Sequence, residues 1–546
     1  MADNYFIADQ FSLLSKLMDI HGENPFKSKS YSIGAFNIEK LPVQLSSLSP
    51  SQIFALKGLG GSTGEKVLEI IQTGKLDVLD RLIASTPPGI IDMLNIKGLG
   101  PKKIHTIWKE MQLESLGELL YACDENRLQL FKGFGAKTQQ NVKEAIEFYL
   151  SNRESFLYAE VESFAQEVNA LLSSSFSRYQ LTFTGDFRMQ SEIINQVEWV
   201  TTIPVEQLSA LLSGNGISLH EESSPWVHFL GPQHIRLSFL VTEPSDFHRL
   251  LFETSCSPEF LLAWKERFGI QNFGSEEEYF SSTGTPYIVS PMREDADVIR
   301  RDPVRLIHES DIRAIIHAHS NWSDGSNTLE EMAEGCIRLG MEYLVISDHS
   351  KSAFYANGLS EERILAQHRQ IEELNRKLAP FRIFKSIECD ILNDGSLDYG
   401  DDILAGFDLV IASVHSNLKM TEEKAMARLL RAIENPHTTI LGHMTGRLLL
   451  SRKGYPVDHD RIIDACKANH VVIELNAHPR RLDMDWRYIR KALDKGVLIS
   501  INPDAHAVEG FRDIRYGVFA AQKGGLTRDM NLSSFSLADF EAFIAP

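Results

Sequence analysis

Nine histidines and carboxylates of the C-terminal half share one pattern: each lies at or shortly after the end of a short apolar run. His317 and His319 form an H-x-H pair, and Asp324 follows in Ser323-Asp324-Gly325. His349 ends Ser347-Asp348-His349, Glu388 opens Glu388-Cys389-Asp390, and His415 lies in Val414-His415-Ser416. His443 follows Gly442, and Asp504 and His506 complete the set in Asp504-Ala505-His506. Imidazole mixed with carboxylate suits divalent cations of intermediate hardness such as Zn, Mn or Fe. A carboxylate shared by two cations lets them clamp a phosphate oxygen and lower the pKa of a bound water. The chemistry implied is metal-assisted hydrolysis of a phosphoester. Any one of these histidines, taken alone, reads better as a surface or core residue; nine ligand-type residues in one recurring position do not.

The elements that must position them are strands. Seven apolar runs alternate with helical patterns, at 312–317, 343–348, 382–388, 408–414, 438–443, 470–475 and 497–502, the signature of an α/β barrel. Six of the seven run directly into a ligand-type residue. In such barrels the C-terminal ends of the strands share one face, where residues distant in sequence converge. An H-x-H pair continuing a strand is expected to aim both rings the same way, since alternate residues share a face.

The first 150 residues carry a different signal. Leu56-Lys57-Gly58-Leu59-Gly60, Ile96-Lys97-Gly98-Leu99-Gly100 and Phe131-Lys132-Gly133-Phe134-Gly135 repeat one hydrophobic-Lys-Gly-hydrophobic-Gly core, each ahead of an amphipathic helix. Glycines permit the tight turn, and the N–H groups opening the next helix can meet a backbone phosphate without reading sequence. The candidate DNA contacts are Gly58, Gly60, Gly98, Gly100, Gly133 and Gly135, with Lys102 and Lys103 flanking the second copy after Pro101. One such turn is common between helices; three in one helical region favour sequence-independent DNA binding.

Charge agrees with that division. The chain has 55 basic and 74 acidic residues, a net charge of −19. Residues 1–150 hold 16 basic and 17 acidic side chains, leaving 39 against 57 for the remainder. Bulk electrostatics therefore repels a polyanion, and any nucleic-acid contact must be local and N-terminal. Five scattered cysteines without a C-x-x-C pair read as reduced thiols. With no signal-like opening and no long apolar run, a cytoplasmic location without membrane contact is expected.

The C-terminal motifs closely resemble PHP (polymerase and histidinol phosphatase) domains, in particular those fused to bacterial family X DNA polymerases. The resemblance rests on His317-Ala318-His319-Ser320, Ser323-Asp324-Gly325, Ser347-Asp348-His349-Ser350, Gly358-Leu359-Ser360, Glu388, Ser413-Val414-His415-Ser416, Gly442-His443 and Asp504-Ala505-His506. It implies three divalent cations: one held by His317, His319, Glu388 and Asp504, a second by Glu388, His415 and His443, and a third by Asp324, His349 and His506. The position after His443, usually Pro in the family, is Met444, which is not a ligand. Arg447 and Arg481 match basic positions that could grip phosphate bidentately, or could instead form ion pairs with Asp483 or Asp485. The catalytic set implied is His317, His319, Glu388, His415, Arg447 and Arg481.

The N-terminal half resembles the same polymerase family. The Gly-rich turns resemble helix–hairpin–helix elements, and Asn24-Pro25-Phe26-Lys27-Ser28-Lys29-Ser30-Tyr31 looks like a loop of its first domain. The resemblance implies a multidomain chain: an all-α helix–hairpin–helix region at 1–90, a fingers-like helix–hairpin–helix domain at 91–150, a palm at 151–225, a thumb-like domain and linker at 226–300, and a PHP (β/α)7 barrel at 305–546. Strands are expected near 179–184, 198–203 and 234–242, and the Pro/Gly-rich stretch 281–303 reads as a linker.

The palm departs from its family. Polymerase chemistry needs carboxylates on adjacent strands to hold two cations. Gly185-Asp186-Phe187-Arg188-Met189-Gln190 stands for the family's Gly-Ser-x-Arg-Arg-Gly, and this alignment puts Gln196 and Glu198 at the paired aspartates and Ser238 at the third. Glu253-Thr254-Ser255-Cys256 replaces the nucleotide-gripping segment. A palm fold that has lost its chemistry is expected. The expected function is a DNA-binding, metal-dependent phosphoesterase, by resemblance a 3′→5′ exonuclease or 3′-end processing enzyme of DNA repair. The alternatives are a phosphatase for small esters of the histidinol-phosphate kind, a working repair polymerase, and a non-enzymatic DNA-binding scaffold.

Overall fold

Two signals start the chain as helices. Asp3 accepts the Phe6 N–H and caps Asn4–His21, which stops at Gly22 with φ +73°, and Asn24 caps Pro25–Glu39 with Pro25 in its first turn. The computed structural model describes residues 3–56, 59–124, 127–151, 155–231, 234–450 and 453–545. By its contacts the chain forms two compact units, Met1–Arg153 and Glu154–Pro546.

The first unit is helical. One continuous core runs through it, from Ile7, Phe11 and Leu17 to Ile104, Leu119, Phe134 and Ile146. The boundary expected at 90/91 therefore separates two hairpin pairs that share a core.

The second unit opens on a mixed sheet. Strands β1 (Phe156–Leu157) and β3 (Ile193–Ile194) pair by themselves, while β2 (Leu181–Thr184), β4 (Gln196–Thr201), β5 (Ser218–Ser223), β6 (Trp226–Leu230) and β7 (Arg236–Val241) form a sheet in the order β2-β4-β7-β6-β5. The palm thus does not stop at 225: β6 and β7, assigned from sequence to the thumb, are its central and flanking strands. β6 alternates buried and half-buried residues, whereas β7 is buried at Leu237, Ser238, Phe239 and Leu240, as a central strand covered on both faces should be.

The stretch 281–303 is not a linker. Ile288, Val298 and Ile299 pack into an aromatic core with Phe252, Phe260, Trp264, Tyr279 and Phe280. Arg293, fully buried, holds Glu276 at 2.7 Å, and Arg188 of the palm holds the same carboxylate at 2.6 Å. Burial alone would raise the Glu276 pKa, but the two guanidinium groups outweigh it and hold the carboxyl down at about 2. The prolines and glycines shape a packed, irregular segment.

The barrel follows. Strands β8 (Ala314–Ala318), β9 (Tyr343–Ile346), β10 (Arg382–Asp390), β11 (Leu409–Ser413), β12 (Thr438–Leu441), β13 (Val472–Asn476) and β14 (Ile499–Asn502) are all parallel and pair in sequence order. Ala318 bridges Ala505, and His319 donates its N–H to the Ala505 carbonyl at 2.8 Å, which nearly closes the ring. Alternate residues divide two ways. Ile315, Leu344, Ile346 and Ile383 join the core against the helices, whereas Ala314, Ile316, Tyr343, Val345 and Phe384 cluster with Phe540 of the helix Leu537–Ile544. The Phe540 ring stacks on Tyr343 with centroids 4.5 Å apart. That apolar plug lies among the early residues of the strands, and the polar residues gather past their C-terminal ends.

Candidate functional site

Glu388 is the hub of the barrel's polar end. Its Oε1 lies 2.9 Å from His443 Nε2, 3.1 Å from His415 Nε2 and 3.3 Å from His317 Nε2, and its Oε2 lies 3.0 Å from His349 Nδ1. His319 Nε2 is 3.1 Å from Asp504 Oδ1, and Asp324 faces His349 at 3.6 Å and His506 at 3.5 Å. All nine residues singled out in the sequence meet here. Their donor atoms fall into three groups, His317-His319-Asp504, His349-Glu388-His415 and His319-Asp324-His349-His506. His349 and His319 each stand between two groups, whereas the expected ligand sets shared only Glu388.

Backbone geometry aims the first pair, though not by simple alternation. The β8–β9 register slips between Ile316 and Ala318, and His317 is the bulged residue at φ +63°. Asp504, past β14, sits at φ +52°. Such conformations cost about 1–3 kcal/mol each and gather at functional sites where the surroundings impose them.

The cluster fits divalent cations. His317 Nε2, His319 Nδ1, His349 Nδ1, His443 Nδ1 and Glu388 Oε2 are all buried and make no well-formed hydrogen bond, although His349 Nδ1 and His317 Nε2 lie close to the Glu388 carboxylate. Buried polar atoms are nearly always well paired, so imidazoles and carboxylates crowded together without such bonds suit a positive ligand. The electrostatics agree. At His317, burial works against charge, but Glu474, Asp504 and Glu388 outweigh it and hold the pKa well above the usual histidine value. Burial is likewise overcome at His415, pushed up to about 10 chiefly by Glu388, and at His506, pushed up to about 9 by Asp324. Glu388 and Asp504 stay well below the ordinary carboxylate range despite burial, because histidines surround them. His319 goes the other way, to about 3, through burial and the neighbouring His506 and His349. A site that draws protons onto its histidines is short of positive charge.

Three residues of the centre were not singled out from sequence. Glu474 Oε2 lies 2.5 Å from His317 Nδ1, and Asp390 Oδ1 lies 2.5 Å from His415 Nδ1. A carboxylate there keeps the proton on Nδ1 and leaves Nε2 free to ligate. Asp348 accepts from Ser320 and Ser323 and so fixes the turn that carries Asp324. The signal for Glu474 was present. The 470–475 run alone ended in no ligand, and it carries one acid amid apolar residues, Val471-Val472-Ile473-Glu474-Leu475.

The two arginines separate. Arg481 Nε lies 3.6 Å from Asp504 Oδ2, at the site. Arg447 does not serve as a phosphate grip: its guanidinium binds Asp485 at 2.9 Å and Glu192 of the palm at 2.5 Å, and it donates to the backbone carbonyls of Arg481 and Leu482. Every face of it is occupied, so its catalytic assignment gives way to a structural one.

The palm strands place Gln196, Glu198 and Ser238 together. In the parallel β4–β7 pair Glu198 lies beside Ser238. Gln196 donates to Glu198 at 3.0 Å and accepts from Ser238 at 3.0 Å, and His228 Nδ1 is 2.8 Å from the same serine. Asp186 lies near Glu198 but on the short helix Gly185–Arg188. Burial, and then the Asp186 charge, push the Glu198 carboxyl up to about 7. Gly185 sits at φ +58°, a conformation that favours glycine, and a Cβ there would also displace the Glu198 carboxyl, whose Oε2 would lie 1.7 Å away. Arg188 is taken by Glu276 and Ser255.

In the helical unit, Gly98 and Gly133 adopt φ +89° and +94°, as tight turns require. Gly60 and Gly100 cap the helices Gly61–Thr73 and Pro101–His105, and the Gly135 carbonyl accepts from Thr138 and Gln139 at the next helix start. A Cβ added at Gly60, Gly98, Gly100, Gly133 or Gly135 would meet nothing of the protein, so internal packing does not demand the bare backbone there. Gly58 lies outside the described residues. Lys102 is exposed, while Lys103 donates back to the Gly98 carbonyl at 2.9 Å.

Comparison with known proteins agrees with this geometry. Family models match a helix-hairpin-helix domain at residues 2–76, a SAM-like helix-hairpin-helix tandem at 90–147 and a PHP domain at 316–478. The DNA polymerase/3'-5' exonuclease PolX of Bacillus subtilis (strain 168) is 33% identical over an alignment of 552 positions that covers 96% of each chain. The chain belongs to the bacterial family X polymerases that carry a PHP domain. Part of the chain also matches other proteins. A probable phosphatase of Thermoanaerobacter sp. (strain X514) is 24% identical over 229 residues, 40% of this chain and 89% of its own. Another, from Caldanaerobacter subterraneus subsp. tengcongensis, is 26% identical over 216 residues, 38% of this chain and 78% of its own. Among the described residues no helix is long and apolar enough to cross a membrane.

Proposed function

We propose that this family X protein is a DNA-binding phosphoester hydrolase that removes nucleotides from 3′ ends, with the barrel cluster as its active site and with polymerase chemistry lost. The observation that carries the reading is the set of orphaned donor atoms around Glu388. Three divalent cations are the cofactor it suits, with His317, His319 and Asp504 at one, Glu388, His415 and His443 at the next, and Asp324, His349 and His506 at the third. When bound, such cations supply Lewis acidity and an activated water. The chain's own residues orient and neutralise: Glu474 and Asp390 fix the histidine tautomers, and Arg481 offers a guanidinium to the phosphate. Hydrolysis breaks the P–O3′ bond, the water oxygen replaces it on phosphorus, and the 3′ oxygen leaves with a proton.

Loss of polymerase chemistry is supported by the palm's hydrogen bonding. Gln196 and Ser238 carry no charge, and Glu198 is already their partner. DNA binding is supported by the hairpin domains and by the Bacillus subtilis relative, whose name includes a 3'-5' exonuclease. Contact through backbone phosphates makes it independent of sequence.

A second reading, a phosphatase for small esters, is favoured by the relatives named probable phosphatase, which match 40% and 38% of this chain. One experiment separates the two. Chelator-stripped protein is reloaded with Mn²⁺ or Zn²⁺ and given 3′-end-labelled DNA in one arm and small phosphomonoesters in another. Metal-dependent release of labelled mononucleotide supports the proposal. Turnover of the monoesters with intact DNA supports the phosphatase, and inactivity in both arms removes the hydrolase reading.

A further inference from the structure

Arg447 links two parts of the second unit that sequence alone treats as independent. It projects from the loop after β12 and meets Glu192, which lies just before β3 of the palm. Both side chains are largely buried, at 15% and 9% exposure, so water screens the pair little. The same guanidinium donates to the backbone carbonyls of Arg481 and Leu482. These belong to the loop after β13, the loop that carries Arg481 to within 3.6 Å of Asp504.

That loop does not hold its shape unaided. Leu482 sits at φ +43°, a left-handed conformation that a residue with a Cβ resists. Its neighbour Asp483 accepts from the N–H and hydroxyl of Thr445, so the β12 loop grips it twice. Asp485, at the far end of the loop, is the second anion on Arg447.

We infer that Glu192 is a positioning residue for the barrel's active site: through Arg447 it holds the loop that presents Arg481 to the substrate phosphate. The palm is thereby a brace of the hydrolase. With the charge at Glu192 gone, Arg447 keeps only Asp485, swings toward it, and loosens its hold on the Arg481 and Leu482 carbonyls. Arg481 then spends less time aimed at the phosphate, while the cation ligands, anchored through Glu474, Asp390 and Asp348, stay where they are.

This inference rests on the hydrolase reading and is tested within it. Glu192→Gln keeps the shape and a hydrogen-bond acceptor but not the charge. On full-length, Mn²⁺-loaded protein with an end-labelled oligonucleotide, it should raise KM about tenfold, the scale of weakening one charge-assisted phosphate contact. Its kcat should stay within about twofold, and its bound metal, by elemental analysis, should equal that of the wild type. In an Arg481→Ala background, Glu192→Gln should change KM no further, because the residue it positions is already gone. An unchanged KM in the single variant overturns the inference and leaves the hydrolase reading intact. So does a full additional loss on top of Arg481→Ala, or a fall in metal content together with kcat, either of which marks a merely structural role. A wild type inactive on every phosphoester overturns the reading itself.

Discussion

Two polar clusters in the second unit are built from similar residue types and differ in how their donors and acceptors are used. On the palm strands, Gln196, Glu198, Ser238 and His228 bond to one another in a chain. At the barrel's end, five buried nitrogen and oxygen atoms at and around Glu388 lack a well-formed hydrogen bond, while the far sides of His317 and His415 are pinned by Glu474 and Asp390. A cluster closed on itself has no need of a ligand. One that leaves buried polar atoms unsatisfied and fixes two of its rings from behind is arranged to hold something. Both clusters sit on strands of one chain, so the contrast reflects side-chain chemistry and not the quality of the scaffold.

The sharpest way to break that contrast is to remove a ligand. His415→Ala should lower hydrolysis of DNA and of small esters together, on the order of a thousandfold or more, with loss of bound metal by elemental analysis. Retained activity would mean that His415 holds nothing. The pinning residues come next. Glu474→Gln and Asp390→Asn keep the shape but lose the charge that fixes the tautomer, and each should cost roughly 10–100-fold in metal affinity or activity, read by metal titration.

These two residues also mark where the sequence stops being informative. The nine ligand types were legible because each lies at or shortly past the end of a strand-like run, and parallel strands deliver their ends to one place. Glu474 was hidden because it lies within its run, and a lone acid among apolar residues does not reveal its partner, 157 positions away in the chain. Arg447 shows the converse. Its type and spacing fit a phosphate grip, but Glu192, brought in from another part of the chain, decides its role. The stretch 281–303 failed for a third reason. Prolines and glycines record backbone shape, and the burial of Arg293 on Glu276 cannot be read from them. The palm boundary at 225 failed because β6 and β7 are short, and β7, which carries β6 with it, joins the sheet through a non-local pairing with β4.

The strand cluster of the palm, unlike Glu192, should respond through stability and not through catalysis. With its pKa raised to about 7 against 4.5 unfolded, Glu198 is protonated in the fold where it would be ionised in the unfolded chain. Its contribution is therefore complete below about pH 4.5 and is lost as pH rises through about 7. Glu198→Gln removes that dependence. It should leave DNA hydrolysis unchanged and stabilise the second unit increasingly from pH 5 to pH 8, by up to roughly 3 kcal/mol, read by thermal unfolding across pH. A variant equally displaced at both pH values would show that Glu198 is not held neutral.

The smallest effect concerns the helical unit. Lys102→Ala should weaken DNA binding alike for all sequences and reduce the slope of log affinity against log salt by about one. Lys103→Ala should change that slope less, because its ammonium is turned onto the Gly98 carbonyl. Equal slopes for Lys102→Ala and wild type would take the second hairpin out of the phosphate contact.

The contrast between barrel and palm is tested most directly by one gel. A 5′-labelled primer annealed to a longer template is incubated with Mn²⁺-loaded protein, with and without the four deoxynucleoside triphosphates. The account predicts a primer that shortens from its 3′ end in both lanes and never lengthens. Template-dependent extension in the presence of nucleotides, or a primer left intact in both lanes, would contradict it.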